Sequence, residues 1–422
     1  LTATLRADGS SRFAANKKWG WFPSLGLAWN LEEEHFLKEN PVVDKLKLRA
    51  SAGTVGNQEI GDYSFLSTYG TVRYYFGGVG NTGYVRNNLD NPDLKWESTT
   101  QYNVGFDLSI LKQRLNFIFD YYSKKTSDLL LNIPVEETTG FSSQLRNVGN
   151  VENRGVEFAV NALLIDTKEL SWNLSANIAH NKNEVTNIGS LASIKNTYTI
   201  IKTGESLGSF YGWQFDGVVQ KGDDLSKVPS PSPKPEVEYG DAKFVDQNGD
   251  GEIDQDNDRV ILGSIQPDFT YGFSTTLNYK RWSLFAAFQG SQGNEVYNSL
   301  RQRLETASTS YNVSTALLNR WSETNPSNTI PKAHASNNYT NYLDSRFVED
   351  ASYLRLKNVT LSYTLPVRIG TTQNSRLRLF VSGQNLLTFT GYKGYDPEVA
   401  SGIDAGAYPT ARTYTVGVNI SY

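Results

Sequence analysis

The sequence predicts an all-β protein, specifically a transmembrane antiparallel β-barrel. Three observations lead to this fold class: a hairpin with one apolar side, aromatic residues at both ends of its arms, and connections that alternate in length along the chain. No stretch approaches the ~18 consecutive apolar residues of a transmembrane helix. Because barrel strands alternate apolar with polar residues, a low mean hydropathy is compatible with this fold.

The stretch from Phe269 to Phe288 carries the clearest pattern. Apolar and small polar side chains alternate on both sides of a predicted two-residue turn at Lys280-Arg281, and period two is that of a β-strand. Each arm has about the ~9–11 residues that a tilted strand needs to cross a bilayer. Tyr279 and Trp282 flank the turn, as in the aromatic girdles of membrane barrels. The alternative is a hairpin of a soluble sandwich, whose apolar face meets a core.

The remainder of the chain favours the barrel. The same alternation recurs in about 12 segments, which we predict to be strands. The connections near 31–44, 111–114, 166–169, 280–281 and 366–373 are predicted to be short, and the others are mostly long, above all Asn57–Trp96 and Asn181–Gln266. Outer-membrane barrels have short periplasmic turns and long extracellular loops, whereas a sandwich has no reason to alternate loop lengths.

Composition excludes several classes of function. The net charge is −4 and no basic run occurs, so we expect no nucleic-acid partner. Without Cys there is no disulfide or thiolate metal site, and His35, His180 and His334 lack metal-ligand spacing. Carboxylate pairs such as Glu136-Glu137 are typical of solvated loops, so we predict that the chain is not an enzyme, with an outer-membrane hydrolase as the alternative. The chain begins inside an alternating pattern, and we interpret it as a piece of a longer polypeptide.

An acidic segment beginning at Asp246 is the sharpest local motif. It starts as an EF-hand loop does, with oxygen ligands at alternate positions and Gly251 at the sixth. Its twelfth position is Asn257 instead of Glu. We predict a structural Ca²⁺ site, and the alternative is an acidic solvated turn. The predicted ligands are Asp246, Asn248, Asp250, Glu252, Asp254 and Asp258.

Aromatic residues in the long connections form a second candidate site. Aromatic faces stack on sugar rings or pack against apolar side chains, so these residues are predicted to contact a substrate, with local loop packing or an aromatic girdle as the alternative. The predicted substrate-binding residues are Tyr74, Tyr75, Trp213 and Trp321.

The chain resembles the C-terminal part of a SusC/RagA-type TonB-dependent transporter of the Bacteroidota outer membrane. The resemblance runs through motifs along the full length of the chain. Among them are Trp21-Phe22-Pro23-Ser24, Asn91-Pro92-Asp93-Leu94-Lys95-Trp96-Glu97, Asn153-Arg154-Gly155-Val156-Glu157, Pro267-Asp268-Phe269-Thr270-Tyr271-Gly272-Phe273 and Gly391-Tyr392-Lys393-Gly394-Tyr395-Asp396-Pro397-Glu398.

The resemblance implies that residues 1–422 supply about 12 of about 22 barrel strands, and that the plug domain and the N-terminal strands are absent from this chain. It further implies energised import of oligosaccharides or oligopeptides, in contact with outer-membrane lipid. The implied partners are a SusD-like surface lipoprotein and the TonB complex, the latter through the missing N-terminal region. The alternatives are a non-transporting outer-membrane adhesin or binding barrel and a soluble secreted β-protein.

Overall fold

The computed structural model describes residues 1–231, 236–306, 312–333, 343–366 and 376–421. Strands take 56% of the residues and helices 5%, which confirms the all-β prediction. In the described part of the chain, no helix is long and apolar enough to cross a membrane. The chain divides into two compact units, one made of Leu1–Leu164, Ser175–Ile194 and Ile201–Ser206, and the other made of Ile165–Leu174, Lys195–Ile200 and Leu207–Tyr422.

The first half of the chain is built from long strands joined by connections that carry short ones. Short 3₁₀ segments cover Leu31–Glu33 and Glu137–Thr139. The strands are β1 (Thr2–Gly9), β2 (Trp19–Asn30), β3 (Val43–Asn57), β4 (Tyr69–Phe76), β5 (Val79–Arg86), β6 (Glu97–Ile110), β7 (Leu115–Ser127), β8 (Leu130–Pro134), β9 (Ser143–Asn147), β10 (Asn150–Asp166) and β11 (Leu170–Asn187).

The second half follows the same plan. Its helical segments are the 3₁₀ turns Leu225–Lys227 and Thr315–Asn319 and the single α-helix of the described residues, α1 (Ser299–Glu305). The strands are β12 (Ile194–Lys195), β13 (Thr199–Ile201), β14 (Ser209–Trp213), β15 (Phe215–Val218), β16 (Ser230–Pro231), β17 (Ala242–Phe244), β18 (Glu252–Ile253), β19 (Arg259–Ser264), β20 (Phe269–Tyr279), β21 (Trp282–Gln292), β22 (Glu295–Asn298), β23 (Val348–Asp350), β24 (Tyr353–Leu365), β25 (Arg376–Thr390), β26 (Ile403–Asp404) and β27 (Thr413–Ser421).

Twelve strands of the described chain belong to the large antiparallel sheet, the number predicted. In the first unit their order is β1-β2-β3-β6-β7-β10-β11, and in the second it is β20-β21-β24-β25-β27. Since neighbouring strands run in opposite directions, successive connections of each unit leave the sheet at opposite ends of its strands. The long connections 58–96 and 128–149 of the first unit therefore lie at the same end of the strands, whereas 111–114 and 167–169 lie at the other end.

The predicted hairpin is present with its expected register. Tyr279 pairs with Trp282 across the turn, and Phe273 lies opposite Phe288 with stacked rings 4.5 Å apart. Lys280 takes a φ of 54° in the turn, which a two-residue hairpin loop requires. The short turns predicted at 111–114, 166–169 and 280–281 are also confirmed, while the prediction for 366–373 falls partly outside the described residues.

Two details differ from the sequence prediction. The connection 10–18 is shorter than the connection 31–42, so at β1, β2 and β3 loop length does not distinguish the two ends of the strands. The segment Asn57–Trp96, predicted to be a loop, contains the β4–β5 hairpin. Its Gly77-Gly78 turn, with φ values of 58° and 81°, is the sequence signal that identifies such a hairpin.

One face of the sheet is apolar and open. Direct pairing places Trp29, Leu48, Phe106, Phe119 and Phe158 in one row across β2, β3, β6, β7 and β10. In the second unit, one face of the sheet strands exposes Tyr279, Trp282, Leu361, Val381, Val416 and Ile420. A large exposed apolar surface of this kind marks a partner or a membrane, and here it forms a continuous band on the strands of each unit.

Candidate functional site

A cleft of about 560 Å³ lies between the connections 58–96 and 128–149 of the first unit. Its volume is in the range of small-molecule sites. Thr68, which directly precedes β4, and Asn87 and Asn88, which follow β5, place it at the base of the β4–β5 hairpin. Amide and hydroxyl side chains dominate its wall, with aromatic rings contributed by Tyr63 and Phe141.

The polar groups of this cleft fall into two classes. Some hold the wall together: the Asn88 Oδ1 accepts hydrogen bonds from the Thr68 backbone N–H (3.0 Å) and hydroxyl (2.8 Å), and the Gln144 Nε2 donates to the Asp90 carbonyl (2.6 Å). Others, such as the Asn132 amide and the Glu59 carboxylate, line the cleft and are exposed. No local sequence pattern signals this site, because residues of two separate connections build it.

The β4–β5 hairpin presents the predicted residues Tyr74 and Tyr75 to solvent. Their exposed fractions are 45% and 68%, and Phe76 beside them is exposed to 71%. The structure therefore places both tyrosines where a ligand can reach them. Their role in substrate binding stays a prediction.

Trp213 and Trp321 occupy a different environment. Trp213 is 2% exposed, its indole N–H donates to the Asp254 carbonyl (2.9 Å), and its ring packs on Phe244 at 5.2 Å. Trp321 is 8% exposed, and its indole N–H donates to Gln220 (3.2 Å). Both rings pack inside the second unit in this structure, which is the packing alternative given above. Direct substrate contact by these two residues stays untested.

The acidic loop has the turn geometry that the sequence predicts. Gly249 and Gly251 take φ values of 77° and 80°. The Asp246 carboxylate accepts hydrogen bonds from both of their N–H groups, at 2.6 and 2.8 Å, and the Asp250 carboxylate accepts one from Glu252 (2.8 Å). The bond from the Gly251 N–H is the largest cause that lowers the pKa of Asp246. Asn248 Nδ2 donates to Asp250 (2.8 Å), so the loop holds itself closed.

The far end of this loop is closed in the same way. Asp258 is fully buried and accepts hydrogen bonds from the Gln247 N–H (2.9 Å) and the Asp254 N–H (2.7 Å). Hydrogen bonds from the N–H groups of Asn257 and Asp256 lower the pKa of Asp254. Among the described residues, no three His, Cys, Asp or Glu side chains are grouped so that they could hold a metal ion. The glycine geometry fits an EF-hand loop and the carboxylate placement does not, and Ca²⁺ binding stays a prediction.

The polar face of the first unit carries an ion cluster. The Arg49 guanidinium donates to Asp107 on β6 (2.9 Å) and to Asp120 on β7 (2.8 Å). Lys47, also on this face, pairs with Asp107 in the sheet register. Cations on a sheet face need a polar environment. One face of this sheet therefore suits water or polar protein, and the other suits an apolar medium.

A buried ion pair holds the connection 391–412 of the second unit. Arg355, which is 2% exposed, donates to Asp396 (2.5 Å) and Glu398 (2.8 Å). Burial opposes ionisation of Asp396, but hydrogen bonds from Thr410, Arg355 and backbone N–H groups outweigh it and lower its pKa to about 2. The arrangement is a structural clamp in which each charge has a partner.

Comparison with known proteins decides the family. The model of the family described as "TonB dependent receptor-like, beta-barrel" matches residues 1–386. The chain belongs to this family. TonB-dependent receptors of this type lie in the outer membrane of Gram-negative bacteria, which agrees with the apolar band on the sheet. The family also confirms the predicted barrel fold.

The curated relatives of this TonB-dependent receptor barrel are longer proteins. "TonB-dependent receptor P3" of Formosa agariphila is 37% identical over 100% of this chain and 44% of its own length. "TonB-dependent receptor SusC" of Bacteroides thetaiotaomicron is 35% identical over 100% of this chain and 42% of its own. The chain therefore spans less than half the length of these relatives.

The solved structure titled "Structure of the RagAB peptide transporter" has a similar fold. The TM-score is 0.84 at 30% identity, covering 100% of this chain and 45% of that one. The same assembly titled as a peptide importer in the 'open-open' state gives a TM-score of 0.81 at 31% identity. The strands and connections of this chain thus follow those of part of a structure titled a peptide transporter.

Proposed function

We propose that the intact protein imports oligosaccharides or oligopeptides across the outer membrane of a Bacteroidota cell, driven by the TonB complex. The observation that carries this proposal is the family match over residues 1–386, together with relatives named as TonB-dependent receptors that cover the whole chain. One related structure is titled a peptide transporter, and one relative is named SusC. Their names support a nutrient importer as the class of function.

The physical properties of the sheet support this proposal. Its apolar face exposes aromatic and aliphatic side chains, which lipid would cover at a gain of roughly 25 cal/mol per Å² of apolar surface. Its other face carries the Arg49 cluster, which needs water or polar protein around it. A wall between lipid and a polar passage has both properties.

The long connections support a partner on one side of the membrane. In a compact protein, loops of this length are usually functional, and those of the first unit carry both the exposed Tyr74–Phe76 segment and the polar cleft. We propose that a SusD-like surface lipoprotein docks on this side, that Tyr74 and Tyr75 contact the substrate, and that the TonB complex acts through a segment outside residues 1–422.

The proposal is tested with the full-length protein expressed from its own locus. A tagged protein should copurify from native membranes with a surface lipoprotein, and uptake of one polymeric nutrient should stop when either the transporter gene or tonB is deleted. The control is a monomeric nutrient, whose uptake should be unaffected by loss of the transporter gene. Recovery of the barrel alone, with uptake independent of TonB, would instead indicate a passive pore or an adhesin.

A further inference from the structure

We propose that the cleft between the connections 58–96 and 128–149 is a binding subsite for a neutral saccharide. The inference rests on the proposed import function and names its substrate class. Four properties of the cleft carry it: the charge of its wall, the side chains that remain open to a ligand, a strained tyrosine, and the orientation of the β8–β9 hairpin.

The charge of the wall argues against an anionic ligand. The described residues that line the cleft include Glu59 and Asp62 but no Lys, Arg or His. Three arginines outside the lining contact wall residues: Arg12 pairs with Asp62 (3.0 Å), Arg86 lies over the Phe141 ring and pairs with Asp90 (2.8 Å), and Arg146 donates to the Gln144 side-chain oxygen (2.7 Å). A sulfated or uronic acid sugar, or the carboxylate end of a peptide, would bring its negative charge into a lining that holds two carboxylates and no cation, which is unfavourable.

The open side chains match the hydroxyl groups of a sugar. The Asn132 amide offers two N–H donors and one carbonyl acceptor, the Ser143 hydroxyl donates and accepts, and the Glu59 carboxylate accepts. A saccharide hydroxyl is itself both a donor and an acceptor, so it can bind to each of these groups. The Asn88 and Gln144 side chains, bonded to the backbone, keep the wall in shape.

Tyr63 occupies a backbone position that suits glycine. Its φ is 60°, in a turn where the Ser64 N–H donates to the Gly61 carbonyl (3.3 Å), and its ring is 66% exposed. Left-handed backbone at a residue other than glycine is unfavourable and is concentrated at functional sites. The turn therefore keeps an aromatic ring at the cleft despite a cost to the fold, and that ring gives a sugar an apolar face to stack on.

The orientation of the β8–β9 hairpin favours recognition by side chains. Asn132 pairs directly with Leu145, so both point to the same face, as do Leu130 and Ser143 two residues away. All four line the cleft. Gln144, which lies on the opposite face of the hairpin, lines the cleft as well, so the hairpin offers side chains of both faces to a ligand.

The test uses the purified full-length protein, with any lipoprotein that copurifies, and isothermal titration calorimetry. The probes are neutral hexasaccharides (an α-glucan, a β-glucan, a xylan and a β-mannan fragment), a sulfated and a uronic acid oligosaccharide, and a lysine-containing hexapeptide. We expect one neutral hexasaccharide to bind. Asn132→Ala and Tyr63→Gly should each weaken that binding by about tenfold, since each removes a direct contact.

Matched variants separate binding from folding. Asn30→Ala removes an exposed amide at the other end of the sheet strands and should leave the affinity unchanged. Tyr63→Gly also relieves the positive φ, so its unfolding midpoint should stay the same or rise while its affinity falls. Preferential binding of an anionic oligosaccharide or of the peptide, or unchanged affinity in both cleft variants, would overturn the inference. TonB-dependent uptake by the wild type, measured in parallel, tests the proposed function separately from the cleft.

Discussion

The connections around Trp213 and Arg355 in the second unit bury their side chains, whereas the β4–β5 hairpin and the cleft of the first unit expose theirs. In the second unit, Trp213 lies inside a small apolar cluster and Arg355 inside a closed ion network. In the first unit, Tyr75 projects into solvent and the Asn132 amide stands in an open cleft. Both regions are rich in aromatic residues, so composition alone does not separate a residue that stabilises a loop from one that is free to bind a ligand.

Burial makes the distinction. A buried tryptophan with a bonded indole N–H has no free face, whereas an exposed tyrosine keeps one. We therefore expect substitution of Trp213 or Arg355 to lower stability and substitution of Tyr75 or Asn132 to lower ligand affinity. Each of the following measurements tests this contrast.

Trp213→Ala should have the largest effect on stability. The substitution leaves a cavity in the cluster that contains Phe244 and Ile253, and it removes the hydrogen bond to the Asp254 carbonyl. Truncation of a buried tryptophan costs about 3–5 kcal/mol of folding stability. Hydrogen exchange of the full-length protein should show faster exchange throughout the connection 188–268. The control, Trp19→Ala, removes an exposed ring and should leave this connection unchanged. Unchanged exchange in Trp213→Ala would mean that the ring does not stabilise this connection.

Arg355→Ala should destabilise the connection 391–412 by a similar amount. Removing one partner of a buried ion pair typically costs about 3–5 kcal/mol, because the other charge remains buried. Limited proteolysis should then cleave this connection faster than in the wild type. Lys182→Ala removes an exposed ion pair with Glu184 and serves as the matched control, without a change in cleavage. Equal resistance of Arg355→Ala and the wild type would contradict the clamp.

The sequence was informative wherever a pattern is local. Period-two alternation identified the β20–β21 hairpin with its turn, and the twelve strands of the large sheet. The EF-hand-like spacing from Asp246 identified the Gly251 turn of the acidic loop. Sequence reasoning could not find the cleft, because Tyr63 and Asn132 are far apart in sequence and come to line one cleft only in the folded chain. Nor could it establish that Trp213 is buried, since alternating patterns do not show what covers a loop.

The ion network around Arg355 predicts that the stability of the connection 391–412 depends on pH only under acidic conditions. The pKa of Asp396 is lowered to about 2 from the ordinary value of 3.8. Its contribution to stability is therefore complete above pH ~4 and is lost as the pH falls through ~2, amounting to roughly 2 kcal/mol. Proteolysis by pepsin between pH 4 and 2 should accelerate at the connection 391–412. In Asp396→Asn this acceleration should be absent, and its persistence there would assign the effect to another group.

Calcium should have a smaller effect, because the acidic loop is already closed by its own hydrogen bonds. For a Kd of ~1 mM, typical of extracellular sites, 10 mM Ca²⁺ would stabilise the loop by only about 1.4 kcal/mol. Hydrogen exchange at residues 246–258 should slow in CaCl₂ relative to MgCl₂, and Asp246→Ala should abolish the difference. Asp224→Ala, an acidic residue outside the loop, is the control. Identical exchange with and without Ca²⁺ would show that hydrogen bonds alone hold the loop.

Tyr75→Ala should have the smallest effect and should act on binding alone. The ring is 68% exposed, so its removal leaves no cavity and the unfolding midpoint should not change. If a substrate covers about 50 Å² of the ring, the loss at 25 cal/mol per Å² is about 1.25 kcal/mol, or roughly eightfold in Kd. Titration of the full-length protein with its transported substrate measures this change, and Tyr75→Phe should retain the affinity because it keeps the apolar face. Among the described residues, the strands of the hairpin that carries Tyr75 pair only with each other. A fall in stability with unchanged Kd would therefore mean that the hairpin is a packing element, as the cluster around Trp213 is.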